Sequence, residues 1–270
     1  MIATKATAVL LAGRRDGAVD PLAMAAGVSH KCLVPVAGQP MLLHVIDALV
    51  ANRRIGQVRV VIEDPALLAT IPSLRGLLHN GRVVGVAAQP NLVDSVLAGA
   101  DGAAFPLFIT TADNVLLTPQ AVDEMLDGCA MQGADAAVAF TRRASVLAAH
   151  PQGQRKFYTF ADDAYSNCNS YWLRDRAALK AAETFRTGGQ FVKHPARIIG
   201  AFGLLNLIRF RFGIGTLDQA FARFSRRFRM TISPVILTDG AVAIDVDNSR
   251  SHGVATTLLD QRMSLAQAAE

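Results

Sequence analysis

The chain has 270 residues, of which 51% are hydrophobic and 18% are charged, and its net charge is +5. This composition provides enough apolar residues for a sizeable core and excludes global disorder. No apolar run approaches the roughly 18 residues of a membrane-spanning helix, and the first residues lack the pattern of a signal peptide. Cys32, Cys129 and Cys168 have neither zinc-site nor disulfide spacing. They favour a reducing cytoplasm.

The positive charge is concentrated in one internal block. Residues 142–230 carry 16 basic and 5 acidic side chains, whereas the net charges of residues 1–141 and 231–270 are both −3. Such a block suits an anionic partner, which is a phosphorylated substrate, an anionic membrane surface or a nucleic acid; the alternative is a solvated basic face. None of the usual nucleic-acid-reading modules is recognisable, so we expect no nucleic-acid partner.

Strand and helix patterns alternate over the first 140 residues. Helical spacing is seen over 41–50, 92–100 and 119–131, and apolar runs typical of buried strands are seen over 6–12, 58–62, 82–87, 105–110 and 134–140. The alternation predicts a doubly wound, mainly parallel α/β sheet. Ligands of such sheets bind at the carboxyl ends of the strands, and Gly13 and Asp113 are both predicted to lie there.

The second half of the chain is less regular. Strand patterns occupy 157–160, 169–173, 230–237 and 241–244, and helical patterns occupy 175–186, 192–210, 217–228 and 255–269. No internal repeat and no clear linker divides the chain. We therefore expect one domain over residues 1–270, with a basic helical insertion over residues 175–228.

A glycine loop and a lysine motif follow the first predicted strand. A glycine turn after a strand lets backbone N–H groups approach a phosphate, although the same turn is also an ordinary strand–loop junction. The spaced positions after it are more specific: Leu11-Ala12-Gly13, Pro21-Leu22, Lys31, Leu33, Pro35, Gly38 and Pro40. Together they resemble the signature of MobA-like and sugar-1-phosphate nucleotidyltransferases. The resemblance implies a GT-A-like, Rossmann-like α/β fold and nucleotidyl transfer from an NTP.

The same resemblance implies roles for the loop residues. The loop from Leu11, Ala12 and Gly13 onward would wrap the nucleotide, and Lys31 would contact its phosphates. The family loop usually reads Gly-x-Gly-[Ser/Thr]-Arg, but here its second glycine falls on an aspartate and its arginine on an alanine. Either Arg14 or Arg15 is then expected to supply the missing cation, and Gly17 the flexibility.

Two carboxylates are candidate ligands of Mg²⁺. Asp113 directly follows a buried strand, and hard oxygen donors that share the ion with phosphates suit this metal. An aspartate at a strand end is also a common turn cap. In the resembled family, aspartates at the positions matching Asp113 and Asp247 hold the metal. Asp245 lies two residues before Asp247 and would face the other side of a strand as support.

Further candidates line the nucleotide and acceptor sides. Ser95 resembles a family serine near the nucleotide, although a serine in the first helical turn can also cap or pack. Asn169 best matches an Asn-x-Gly stretch on the family's acceptor side, and its alternative is a polar turn. Lys193, in the basic insertion, is a candidate acceptor contact. The insertion itself suits an anionic membrane surface, an acceptor lid, a dimer face or a buried helix pair with a basic exterior.

The resulting expectation is a Mg²⁺-dependent nucleotidyltransferase. An acceptor phosphate would attack the α-phosphorus of an NTP, with a weak preference for CTP, and pyrophosphate would leave. The competing hypotheses are a GT-A-type glycosyltransferase and a non-catalytic, membrane-associated nucleotide-binding protein. We expect a cytoplasmic location, with peripheral contact at the inner face of the membrane and a homodimer as open alternatives.

Overall fold

A mixed sheet forms the centre of the computed structural model, which describes residues 5–14, 20–180, 208–209 and 212–268. In chain order, the strands of these residues are β1 (Ala6–Leu11), β2 (Pro35–Val36), β3 (Gln39–Pro40), β4 (Ile55–Ile62), β5 (Val83–Ala87), β6 (Leu107–Thr111), β7 (Ala136–Arg142), β8 (Tyr158–Thr159), β9 (Ala164–Leu173) and β10 (Ile232–Ile236). All except β2 and β3 belong to the central sheet, and those two form a small hairpin.

The strand order of the central sheet is β10-β7-β9-β6-β1-β4-β5, with β8 paired to β9. Parallel pairs join β1 to β4 and β6, β4 to β5, and β7 to β10. Among the described strands of this sheet, antiparallel pairs are made only by β9, with β6, β7 and β8. Residues such as Val9 and Leu10 in β1 are fully buried, as expected when helices cover both faces. The predicted doubly wound, mainly parallel α/β fold is confirmed.

Eight α-helices are present among the described residues. They are α1 (Pro21–Ala25), α2 (Met41–Ala51), α3 (Arg75–His79), α4 (Leu92–Ala100), α5 (Pro119–Gln132), α6 (Arg143–Ala149), α7 (Leu217–Phe228) and α8 (Ser249–Ala268). Their ends follow ordinary capping chemistry: Thr118 accepts a hydrogen bond from the backbone N–H of Ala121, and Gly133 ends α5 at φ 55°. In the described part of the chain, no helix has the length and apolar character needed to cross a bilayer.

One glycine fixes how closely α4 packs on the sheet. A Cβ at Gly99 would stand 2.6 Å from Val9 Cγ1 and 3.0 Å from Val61 Cγ2. Because these are branched side chains of β1 and β4, a larger residue would push the helix away. This close contact is made near the C-terminal end of α4, one turn after Ser95.

Three predicted segments differ from the structure. Residues 241–244 are mostly a 3₁₀ turn (Gly240–Ala243), because the Asp239 carboxylate accepts a hydrogen bond from Ala241 N–H and Gly240 packs against the backbone of α6. The polar stretch before residue 169 is already strand β9, which begins at Ala164, and the closing helix begins at Ser249. Within the insertion predicted over 175–228, the described elements include a 3₁₀ turn (Arg176–Ala178) and α7. Residues 181–207, which include most of the predicted 192–210 helix, lie outside the described residues.

Candidate active site

Three residues that are far apart in sequence meet at the carboxyl edge of the sheet. The Lys31 Nζ atom lies 2.7 Å from Asp113 Oδ2 and 3.0 Å from Asp247 Oδ1. The side chains of Lys31 and Asp113 are only 22% and 12% exposed. One cation therefore bridges two carboxylates at the edge where ligands of this sheet type bind. The structure thus brings together three residues that the sequence motifs single out as candidates.

The end of β6 orients Asp113. Its backbone carbonyl accepts a hydrogen bond from Val246 N–H at 3.0 Å, and the Thr111 hydroxyl donates to Asp113 Oδ1 at 2.5 Å. Ala112 N–H donates to the carbonyl of Leu11, which ends β1. Asp113 is thus tied both to the segment that carries Asp247 and to the strand that starts the glycine loop.

Lys31 stands in a short 3₁₀ turn (Lys31–Leu33) that leads into the β2–β3 hairpin. The hairpin turn contains Ala37 at φ 47° and Gly38 at φ 85°, the left-handed pair that a two-residue hairpin requires. His252 of α8 donates from Nε2 to the carbonyl of Pro35 at 2.7 Å. The Lys-x-Leu-x-Pro and Gly-x-Pro motif therefore builds a rigid support for one ammonium group.

The lysine keeps its charge at this place. Burial lowers the pKa of Lys31, but the neighbouring Asp113 and Asp247 carboxylates outweigh burial, and the pKa is raised above its ordinary value. The site therefore holds a permanent cation at neutral pH, with two carboxylates directly bound to it.

The start of α8 positions Asp247. Its N–H donates to Ser251 Oγ at 2.9 Å, and Ser251 N–H in turn donates to Asn248 Oδ1 at 3.2 Å. These bonds cap a helix start that lacks the Thr-Pro-Glu-Asp sequence typical of the resembled family. Asn248 and Ser251 supply the cap instead.

The glycine loop begins beside this cluster. Ala12 N–H donates to the Val61 carbonyl at 2.9 Å, so Leu11 and Ala12 continue the strand pairing to the sheet edge. A Cβ at Gly13 would stand 3.2 Å from both Ala88 Cβ and a Glu63 carboxylate oxygen. Gly13 thus fits a narrow gap that tolerates a larger residue poorly.

Arg14 is the arginine candidate that the structure describes. Its Nη2 donates to the Ser29 carbonyl at 2.7 Å, and its backbone N–H bonds to Glu63 Oε1. The guanidinium group is therefore bonded to Ser29, which lies two residues before Lys31 in the sequence. Arg15 and Gly17, the other predicted loop residues, lie outside the described residues, as does Lys193.

His30 and Glu63 support the loop, and the sequence analysis did not single them out. His30 is buried; its Nδ1 is 2.9 Å from Ser29 Oγ and its Nε2 is 3.3 Å from Glu63 Oε2. Burial and the Arg14 charge lower the pKa of His30, although Glu63 opposes this shift. The imidazole is therefore neutral at pH 7 and acts as a packed connector between the loop and β4.

Ser95 lies at the same edge, but its hydroxyl already makes hydrogen bonds within the protein. Its side chain is buried, and Ser95 Oγ accepts from Gln89 N–H at 2.9 Å and donates to the Gln89 carbonyl at 3.1 Å. Asn91 caps the helix in its place, by accepting from Asp94 N–H. In this arrangement Ser95 shapes the Gln89 loop.

Asn169 lies in β9, the antiparallel neighbour of β6. It adopts φ 45° in β9, and its Nδ2 donates to Asp245 Oδ2 at 2.7 Å. The fully buried Asn114, next to Asp113, donates from Nδ2 to the Cys168 carbonyl at 2.9 Å. Asn114 thus fixes the strand distortion that aims Asn169 at Asp245, a role visible only once β6 and β9 are seen side by side.

Asp245 is a poor anion at this place. Burial, followed by the negative charges of Asp113 and Asp247, raises its pKa well above the usual value. Its Oδ1 atom is shielded from solvent and has no hydrogen-bond partner among the described residues. The two faces of this segment therefore differ: Asp247 pairs with the cation, and Asp245 supports Asn169.

The two carboxylates of the site are suitable ligands for a Mg²⁺ ion that also binds the phosphates of a substrate. Asp113 and Asp247 offer hard carboxylate oxygens, both within bonding distance of one cationic group, the Lys31 ammonium. Among the residues described, no group of three or more His, Cys, Asp or Glu side chains is arranged to hold a metal. Two carboxylates with the remaining ligands from phosphates and water is the arrangement Mg²⁺ commonly adopts.

Comparison with known families agrees with this geometry. The model of the MobA-like NTP transferase domain matches residues 9–195, which include the glycine loop, Lys31 and Asp113. The chain belongs to this family. It is accordingly a nucleotidyltransferase, an enzyme of the class that transfers phosphorus-containing groups. No curated protein matches the chain in sequence.

Solved structures share the fold at low sequence identity. A hypothetical transferase from Thermus thermophilus superposes with a TM-score of 0.76 at 22% identity, over 92% of this chain and 100% of that one. A CMP:2-keto-3-deoxy-manno-octonic acid synthetase complexed with CTP gives a TM-score of 0.56 at 14% identity, over 96% and 100%.

A third structure is 4-diphosphocytidyl-2C-methyl-D-erythritol synthase from Anaerococcus prevotii DSM 20548. It gives a TM-score of 0.58 at 10% identity, over 95% of this chain and 96% of that one. These likenesses confirm the GT-A-like fold.

Proposed function

We propose that this enzyme joins an NTP to a phosphorylated small-molecule acceptor and releases pyrophosphate. The observation that carries the proposal is the Lys31 ammonium group, held between Asp113 and Asp247 beside the Leu11–Gly13 loop. A cation fixed next to backbone N–H groups at a sheet edge suits a triphosphate. The basic block of residues 142–230 supports a second anionic substrate.

The reaction needs little proton transfer. A phosphate monoester has a second pKa of about 6, so an acceptor oxygen is already anionic at neutral pH. That oxygen forms a bond to the α-phosphorus while the bond from the α-phosphorus to the bridging oxygen breaks, and the electron pair leaves with pyrophosphate. The protein then acts mainly by positioning the two substrates and neutralising their charge.

Each described residue has a role in this scheme. Lys31 contacts the triphosphate and offsets the charge that accumulates on its oxygens, with Arg14 as the neighbouring cation. Leu11, Ala12 and Gly13 cradle the nucleotide with their backbone, and Ser95 shapes the wall formed by the Gln89 loop. Two loop residues lie outside the described part of the chain: Arg15 is the alternative to Arg14 as the cation on the triphosphate, and Gly17 is the proposed flexible position.

Asp113 and Asp247 would hold Mg²⁺. When bound, the ion would neutralise negative charge on the phosphates of the nucleotide. Lys31 now occupies the space next to both carboxylates, so the ammonium group would share them with the ion when substrate arrives.

The acceptor side and the base are the finer parts of the proposal. Asn169, held beside Asp245, supports an acceptor site on the β9 side, and Lys193 is the basic residue of the insertion proposed to contact the acceptor phosphate. CTP is the proposed nucleotide, since two structural neighbours carry CTP or a diphosphocytidyl product in their names. We propose a single domain with the insertion on its acceptor side.

The test is incubation of the enzyme with each NTP, Mg²⁺ and a panel of sugar, polyol and amino-alcohol phosphates. We expect acceptor-dependent pyrophosphate release. Asp113→Asn should abolish it, whereas Asp260→Asn, an exposed carboxylate of α8, serves as the matched control. Release of a nucleoside diphosphate from a nucleotide-sugar would instead identify a glycosyltransferase and refute the proposal.

A further inference from the structure

Large apolar side chains are exposed next to the start of α7. Phe212 is 71% and Ile214 is 53% exposed, and Ile208 is also exposed. Single exposed apolar residues are ordinary, but three within seven positions of the sequence suit an interaction surface.

This segment is fixed to the sheet. Ile214 N–H donates to the Arg209 carbonyl at 2.8 Å, and Ala161 N–H donates to the Gly215 carbonyl at 3.0 Å. The second bond joins the segment to the connection between β8 and β9. The exposed side chains therefore belong to a segment that is hydrogen-bonded to the rest of the protein.

Arginine residues lie beside the exposed apolar segment. Arg223 Nη2 lies 3.5 Å from the Ile214 carbonyl. Arg226 lies one turn after Arg223 on α7, and Ile214, whose carbonyl contacts Arg223, donates its N–H to the Arg209 carbonyl. Burial and the positive charges of Arg209 and Arg226 lower the pKa of Arg223. The described residues from 208 to 230 hold five arginines and one acidic residue, Asp218, on α7 itself. The nearby carboxylates are engaged elsewhere: Asp162 accepts from Leu217 N–H and Tyr165 OH, and Asp163 pairs with Arg142.

The apolar face of α7 is already used by the protein core. Leu217, Ala220 and Phe221 are buried, and Phe221 packs edge-to-face on Phe140 with ring centroids 5.7 Å apart. A partner therefore meets the outer, arginine-bearing face of α7 together with the exposed apolar segment.

We propose that this surface docks on an anionic lipid bilayer. We define it as the basic–apolar patch, which consists of Ile208, Arg209, Phe212, Ile214, Arg223 and Arg226. Apolar side chains would enter the boundary between headgroups and acyl chains while the guanidinium groups bind lipid phosphates. Free phosphate accounts for the arginines alone, whereas a lipid surface accounts for the exposed apolar side chains as well.

The patch also stands on the active-site side of the sheet. In the strand register, Arg142 at the carboxyl end of β7 stands opposite Tyr165 near the start of β9. Strand β8 pairs with the same part of β9. The carboxyl end of β7 lies at the same edge as that of β6, which leads to Asp113. Docking would therefore bring that edge towards the membrane, whichever reaction the site performs.

The experiment is co-sedimentation of the full chain with lipid vesicles, without nucleotide. One set contains phosphatidylcholine and the other contains equimolar phosphatidylcholine and phosphatidylglycerol. We expect binding to the anionic set. Because each arginine near such a surface is worth about 1 kcal/mol, or about fivefold in binding, Arg209→Glu with Arg226→Glu should weaken it by at least about 25-fold. Phe212→Ser should weaken it by about tenfold.

Matched variants elsewhere separate the patch from overall charge. Arg53→Glu with Arg75→Glu makes the same charge change on exposed positions, and Met131→Ser removes another exposed apolar side chain. Both should bind the anionic vesicles nearly as wild type does. Circular dichroism and thermal unfolding establish that every variant is folded.

Several results would overturn the proposal. These are no binding to anionic vesicles, equal binding to neutral vesicles, or equal losses in the patch and control variants. Displacement by millimolar inorganic phosphate at constant ionic strength would assign the patch to a free anion. Dimerisation that Phe212→Ser abolishes in the absence of lipid would assign it to a second copy of the chain. Pyrophosphate release is measured separately, so the docking and the proposed function can fail independently.

Discussion

Replacement of Lys31 by methionine tests the core of the site. Lys31→Met keeps most of the side-chain volume but removes the ammonium group that lies 2.7 Å from Asp113 and 3.0 Å from Asp247. Loss of one preorganised electrostatic stabiliser costs about 10²–10³-fold in turnover. We expect kcat for pyrophosphate release to fall by that factor.

The same change has a measurable effect on stability. Exposed ion pairs contribute about 0–1 kcal/mol, and removal of one partner of a buried pair costs about 3–5 kcal/mol. Because Asp113 is mostly buried and Asp247 is exposed, we expect Lys31→Met to lower the free energy of unfolding by about 2 kcal/mol. Asp247→Asn added to this variant should recover part of the stability, through less carboxylate repulsion, but no activity.

Steady-state pyrophosphate release and urea unfolding at pH 7.5 measure the two effects. Lys156→Met, on an exposed position, is the control and should change neither. If Lys31→Met retains kcat and kcat/KM within about threefold of wild type while remaining folded, Lys31 is not the electrostatic stabiliser assigned here.

Four further substitutions test the frame around the site. Gly99→Ala should lower the free energy of unfolding by about 1–3 kcal/mol through overpacking on β1 and β4, without changing the KM for NTP. Gly13→Ala should raise the KM for NTP and cause a smaller loss of stability. Steady-state kinetics and urea unfolding of the two variants measure both effects. Ser95→Ala should raise the KM at unchanged kcat, because the Gln89 loop loses two hydrogen bonds; an unchanged KM would remove Ser95 from the nucleotide wall. Since the folded-state pKa of His30 is below its ordinary 6.5, its stabilising effect is present above that pH and is lost on acidification. Wild type should therefore lose more stability between about pH 7.5 and 5.5 than His30→Gln, and equal losses in chemical unfolding would contradict this assignment.

The sequence predicted the parts of the site that depend on strand ends. The mainly apolar strands β1 and β6 end at Leu11 and Thr111, and parallel strands bring such ends to one edge. Asp113 could therefore be placed near the glycine loop. Lys31 and Asp247 needed more than periodicity, and the spaced motifs that resemble the family supplied their positions.

Contacts between distant strands were beyond sequence reasoning. Asn114 bonds the carbonyl of Cys168, 54 residues away, and no local pattern signals that pairing. The sequence predicts that the Ser95 hydroxyl contacts the nucleotide, whereas in the structure the same hydroxyl bonds the backbone of Gln89. A choice between these two roles requires the position of the Gln89 loop, which the sequence pattern does not give. The apolar run 241–244 is too short to separate a strand from a 3₁₀ turn by pattern alone.

The most direct test of the account follows the α-phosphate of the nucleotide. NTP labelled at the α-phosphorus or at the γ-phosphorus is incubated with Mg²⁺ and the acceptor that supports pyrophosphate release. We expect the α label to appear in a product linked to the acceptor and the γ label to appear in pyrophosphate. Transfer of the γ label to the acceptor, or retention of the α label in free nucleoside diphosphate, would contradict nucleotidyl transfer at the Lys31 site.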